Sequence, residues 1–127
     1  MAQRAKPLSP HLEIYRFTLT MAMSIVHRAT GIANYAGMAI LTKWLVCAAL
    51  GGAALDLANG IIGSWFGQLV LFGFSWSLIH HALGGIRHFV WDNLKGLDPT
   101  GRELIVRLQL GGSIVLTLAA WALWVWR

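Results

Sequence analysis

Charge is what this 127-residue chain has least of. Only 12% of its residues are Asp, Glu, Lys or Arg, about half the roughly 25% of a soluble globular domain. Fifteen charged residues and five histidines could hardly cover the water-facing surface of a soluble fold this short. A soluble enzyme domain is thereby excluded, and so is a disordered chain, which needs low hydrophobicity. Cysteine is nearly absent too. The lone Cys47 forms no internal disulfide and no zinc site by itself, and it sits in an apolar run. Strand-like alternation, internal repeats and a dense basic cluster are also missing, so the net charge of +5 does not describe a nucleic-acid binder. What is abundant is apolar: 57% of residues are hydrophobic, with a mean hydropathy of +0.61. These features specify a membrane protein.

A helix crosses the ~30 Å hydrocarbon core with about 20 apolar residues. Three runs qualify, and we expect an all-α membrane protein in which residues 1–127 form one membrane-anchor domain. The expected spans cover about 24–50, 61–90 and 104–126, after a cytoplasmic or interfacial segment over 1–23. GGAALDLANG is read as a short turn between the first two spans. Lys43 lies close enough to the end of the first to snorkel. Eight of the ten Lys and Arg residues fall in the N-terminal segment (Arg4, Lys6, Arg16, Arg28) or the second connection (Arg87, Lys95, Arg102, Arg107). The positive-inside rule then predicts a cytoplasmic N-terminus and a periplasmic C-terminus. Trp44, Trp65, Trp121, Trp124 and Trp126 mark the outer interface, and Trp91 the inner one. The late, long first run with Ser24, His27 and Arg28 at its entrance predicts no cleaved signal peptide. No amphipathic, Arg-rich transit pattern is expected either.

Polar residues at membrane depth are functional candidates by default. Ser24, His27 and Arg28 are spaced i, i+3 and i+4, which groups them on one helix face. They read either as an interfacial anchor for lipid phosphate or as donors to a ligand carbonyl. In HHALGGIRHFVWD, His81 and His88 are seven apart, two turns along one face, with Gly84 and Gly85 between them. A haem needs a neutral imidazole for its iron, a flank without bulk and cations for its propionates. His81, the glycine pair, and His88 with Arg87 suit those roles in that order. Close helix packing through the glycines is the alternative. Spacing alone leaves His80 open as the ligand, and Asp92 reads as a surface charge. The single chain supplies no second axial ligand at matching depth, so a haem-binding hetero-oligomer is expected, with the Gly-rich faces packing in a larger helix bundle.

Here RAKPLSPHLEIYR, SIVHRATGIA and HHALGGIRHFVWD together resemble the cytochrome b subunit of succinate dehydrogenase, the larger membrane anchor of respiratory complex II. The resemblance covers essentially the whole chain, and S-x-x-H-R-x-[ST]-G combined with H-x-x-x-G-I-R-H-x-x-x-D carries it. It implies a haem b shared with a second small anchor subunit, with His81 as axial ligand and His27, Arg28 and His88 near the propionates. It implies a ubiquinone site involving Ser24, Ile25 and Arg28. Partners would be that second anchor, an iron–sulfur subunit and a flavoprotein, with FAD and the iron–sulfur clusters confined to the last two. Succinate would react elsewhere, so no catalysis is expected from the isolated chain. The implied location is a bacterial inner membrane, in contact with lipid and not with nucleic acid. His80 departs from the aromatic residue common at that position in relatives. The competing readings are a fumarate-reducing, menaquinone-linked relative, a pigment-binding antenna protein, and a cofactor-free structural membrane protein.

Overall fold

The computed structural model describes residues 16–125, and these form four α-helices. The segment RAKPLSPHLEIYR up to Tyr15, including His11, lies outside the described residues, as do Trp126 and Arg127. Helix α1 covers Leu19–Leu50, α2 Gly52–Gly63, α3 Trp65–Asp92 and α4 Pro99–Val125. Of these, α1, α3 and α4 are long and apolar enough to cross a membrane. The 32 residues of α1 extend about 48 Å, more than a hydrocarbon core requires.

Local chemistry explains these limits. The Thr18 hydroxyl accepts from the Met21 amide at the start of α1, and the Ser64 hydroxyl accepts from the Gly67 amide at the start of α3. At α4, Asp98 Oδ2 accepts from the Gly101 amide ahead of Pro99, which needs no amide partner in a first turn. Such caps start the helices outside the apolar runs, so α1 and α4 begin earlier than hydropathy alone marks. The connection read as a short turn is instead the helix α2. Gly51 and Gly52 take positive φ (+68° and +52°) and reverse the chain, and the 12 residues of α2, with the helix-forming AALDLA at their start, then make about three turns. Trp44 Nε1 donates to Asn59 Oδ1 (3.0 Å) and ties α2 to α1.

Packing is inverted relative to a soluble protein. Met23 and Val106 are the only buried hydrophobic residues among those described, whereas Thr30, Ser77, His80, Arg87, Gln109, Ser113 and Thr117 are buried and polar. Leu, Ile, Val and Phe cover the outside. Lipid removes the hydrophobic drive between helices, so close packing and polar contacts join them. The Ser77 hydroxyl donates to Asn34 Oδ1 (2.8 Å) across α1 and α3, and Thr117 donates to the Ser113 carbonyl within α4. The antiparallel order brings the N-terminal halves of α1 and α4 beside the C-terminal half of α3. The described histidines collect at that end.

Candidate functional site: a histidine cluster between α1 and α3

Three imidazoles meet where α1 crosses α3. The His27 and His81 rings are stacked, with centroids 4.1 Å apart and planes 9° from parallel. His88 meets His27 edge-on at 5.3 Å, and Trp91 lies 5.7 Å beyond His88. The neighbourhood admits this because Gly84 has no side chain. A Cβ there would overlap His27 Cδ2 and lie 2.7 Å from its Nε2. Gly31 performs the same service for His81, since a Cβ on it would stand 3.2 Å from His81 Cε1.

Hydrogen bonds assign the proton on His81. Its Nδ1 lies 3.1 Å from the His27 carbonyl oxygen, which can only accept, so Nδ1 carries the hydrogen. The Thr30 hydroxyl donates to the same carbonyl (2.8 Å), leaving its oxygen to accept from Nδ1 at 3.2 Å. In the neutral ring Nε2 then bears the lone pair, and it has no hydrogen-bond partner among the described residues. A metal-binding imidazole uses this arrangement, with the second nitrogen donating to a carbonyl that fixes tautomer and orientation.

His80 is placed differently. It is 0% exposed, and both ring nitrogens are engaged by α4. Ser113 gives its hydrogen to the Leu110 carbonyl and so accepts from His80 Nδ1 at 3.1 Å. Gln109 Nε2 lies 3.1 Å from His80 Nε2 and 3.2 Å from the His80 carbonyl, which orients the amide with nitrogen towards both. His80 is a bridge between α3 and α4. A signal for its partners was present in the sequence: Gln109, Ser113 and Thr117 recur every four residues, one stripe of α4.

The other candidates divide. Ser24, Ile25 and Arg28 are exposed on α1, and Arg28 Nε donates to the Ser24 backbone carbonyl (3.4 Å), which lays the Arg28 side chain back along the helix towards Ser24. The Arg28 guanidinium has no carboxylate partner among the described residues. Gly84 and Gly85 do not act as a pair: His27 fills the space at Gly84, while a Cβ on Gly85 would meet nothing within 4 Å. Arg87 is buried on the flank of α3 that faces α4, about 100° from His88. Asp92 is exposed.

A haem b fits this donor set on one side. His81 Nε2 offers a lone pair, Gly85 leaves an open flank, and His88 and Arg28 supply polar groups towards the helix ends. His27 cannot be the second axial ligand, because a ring stacked parallel on His81 does not point at the same iron.

Comparison with known proteins bears on the whole chain. The family described as succinate dehydrogenase/fumarate reductase transmembrane subunit matches residues 2–120. The chain belongs to that family. It is 38% identical over 113 residues to the succinate dehydrogenase cytochrome b556 subunit of Paracoccus denitrificans, covering 89% of this chain and 87% of the relative. The corresponding subunit of Rickettsia prowazekii is 35% identical over 121 residues (91% and 90%). The mitochondrial cytochrome b560 subunit of Sus scrofa is 40% identical over 115 residues, which cover 89% of this chain and 64% of that protein. As a succinate dehydrogenase membrane anchor, the chain is a non-catalytic subunit of an oxidoreductase complex. The four helices account for that role: they present an apolar exterior to lipid and leave succinate chemistry to other subunits.

Proposed function

We propose that this anchor binds haem b through His81 Nε2 and forms part of the ubiquinone site of a bacterial succinate:ubiquinone oxidoreductase. The observation that carries the haem assignment is the proton placement on the two adjacent histidines. His81 has a lone pair to give, whereas His80 has both nitrogens occupied. A second anchor subunit would share the haem and hold its other face. His27, Arg28 and His88 lie in the vicinity of the propionates. When bound, the haem supplies a one-electron store whose potential depends on its axial ligands and burial.

Ser24 and Arg28 donate to a quinone carbonyl, and Ile25 contacts the ring or its tail. As the carbonyl oxygen is reduced it gains negative charge, and donors fixed by α1 strengthen their bonds to it. Electrons come from a flavoprotein through an iron–sulfur subunit docked on the cytoplasmic side, where the positive-inside rule puts the histidine end of the bundle. The complex resides in the bacterial inner membrane.

The test is a reduced-minus-oxidised absorbance spectrum of the purified complex. We expect a b-type spectrum that is lost or strongly altered in His81→Ala and retained in His80→Asn. A spectrum that survives His81→Ala but disappears in His80→Asn refutes the assignment. A wild-type complex with no haem removes the haem claim altogether.

A further inference from the structure

Arg87 is the costliest group in the core, and the proposed function leaves it unused. It is 3% exposed, and neither its Nε nor its Nη1 has a hydrogen-bond partner. Its Cζ lies 5.0 Å over the Trp91 ring, a cation–π contact that eases desolvation but satisfies no N–H. No acid neutralises it among the described residues. Glu103 pairs with Arg107 (3.0 Å), Asp98 caps α4, and Asp92 makes no ion pair. A buried intramembrane charge is expected to have either a partner or water.

Its surroundings identify which. Seven residues separate Arg87 from His80, so both face α4. There Arg87 and Gln109 line a partly open cavity of about 260 Å³ with Leu83, Val90, Ile105 and Leu108. Gln109 Oε1 is also buried and unpartnered. Arg87 only donates and this oxygen only accepts, so a molecule that does both completes the set. Water does, and the cavity greatly exceeds the roughly 10–15 Å³ that one water requires.

We propose that ordered water in this α3/α4 cavity keeps Arg87 as an unneutralised positive charge, which favours the reduced state of the haem held by His81. The inference rests on the haem assignment above. Arg87 lies six residues, or about 9 Å of helix rise, from His81. Ring contacts connect them through Trp91, His88 and His27. One-electron reduction lowers the charge of the iron centre by one, so a nearby cation stabilises the product. A unit charge about 10 Å away, at an effective dielectric near 20, shifts such an equilibrium about tenfold, equivalent to 59 mV for one electron.

Redox titration of the haem absorbance in the purified complex tests this. Arg87→Gln and Arg87→Met should lower the midpoint potential by about 59 mV at wild-type haem content, while Arg87→Lys stays near wild type. An unchanged or raised potential in the neutral variants overturns the proposal. A high-resolution cryo-EM map of the wild-type complex decides it without any variant. Separate water peaks bonded to Arg87 Nε and Nη1 and to Gln109 Oε1 support it. A carboxylate or phosphate paired with Arg87 overturns it, because a neutralised pair exerts no such field. Absence of a b-type spectrum in the wild-type complex would instead sink the haem assignment, and the map would still report on the cavity.

Discussion

Replacing Gly84 by alanine should damage the molecule more than its one added carbon suggests. Ordinary carbon contacts lie near 3.5–4.0 Å. The new Cβ would overlap His27 Cδ2, reach 2.7 Å from its Nε2 and stand 3.1 Å from Gln109 Nε2. Relief requires the His27 ring to move by about 1 Å or more to restore those contact distances. The ring cannot retreat freely, because His81 is stacked 4.1 Å behind it and His88 sits at its edge. The alternative is to part α1 from α3, which breaks the Thr30 and Ser77 contacts. Overpacking of this kind costs about 1–3 kcal/mol, against a helix-propensity gain of roughly 0.8–1 kcal/mol for removing glycine. A net loss follows. Gly73→Ala is the control: its Cβ meets nothing within 4 Å and faces the apolar cavity between α1, α2 and α3. The assay is the thermal inactivation midpoint of the detergent-solubilised complex, measured with its haem content. Gly84→Ala should lower both, and Gly73→Ala neither. If Gly84→Ala matches wild type in both, the wedging of His27 against α3 is wrong.

Ser24→Ala and Arg28→Leu should each reduce succinate:quinone activity about tenfold to a hundredfold, the scale of one lost hydrogen bond to a charged group, about 1.5–3 kcal/mol. Succinate oxidation with an artificial acceptor should stay largely intact; equal loss of both activities would mean failed assembly rather than a quinone role. Ser113→Ala leaves the His80 Nδ1–H without an acceptor in the core. It should destabilise the complex by about 1–3 kcal/mol in a denaturation assay while leaving the haem spectrum in place, as the assignment of the iron to His81 requires.

The three spans were legible because lipid-facing residues must be apolar whatever the tertiary arrangement, and α1, α3 and α4 carry that pattern. Helix α2 was not. Its glycines at Gly51, Gly52 and Gly60 signal a turn, and only the first two act as one, while the residues between are good helix formers. Which candidate side chains share a helix face was legible, but their arrangement across helices was not. Spacing grouped His81 with His88 and Ser24 with Arg28, because a helix fixes which side chains share a face. It also grouped Gly84 with Gly85, although only Gly84 packs against a neighbour. It could not say what each face meets. Gly84 as the seat of His27, and Arg87 turned towards α4, follow from how α1, α3 and α4 pair.

The adjacent histidines sharpen the point. On a helix wheel His80 and His81 differ only by about 100°, and either nitrogen-bearing ring could serve an iron. Their roles separate through residues far away in sequence. Ser113 and Gln109 enclose His80, so moving that ring onto a metal would take from a buried hydroxyl and a buried amide the partners they now have. The His27 carbonyl and Thr30 take the Nδ1 proton of His81 and leave its other nitrogen free. The chain thus uses one histidine to join helices and leaves its neighbour with a free lone pair. The same scarcity of polar groups that marks it as a membrane protein makes each of those hydrogen bonds decisive.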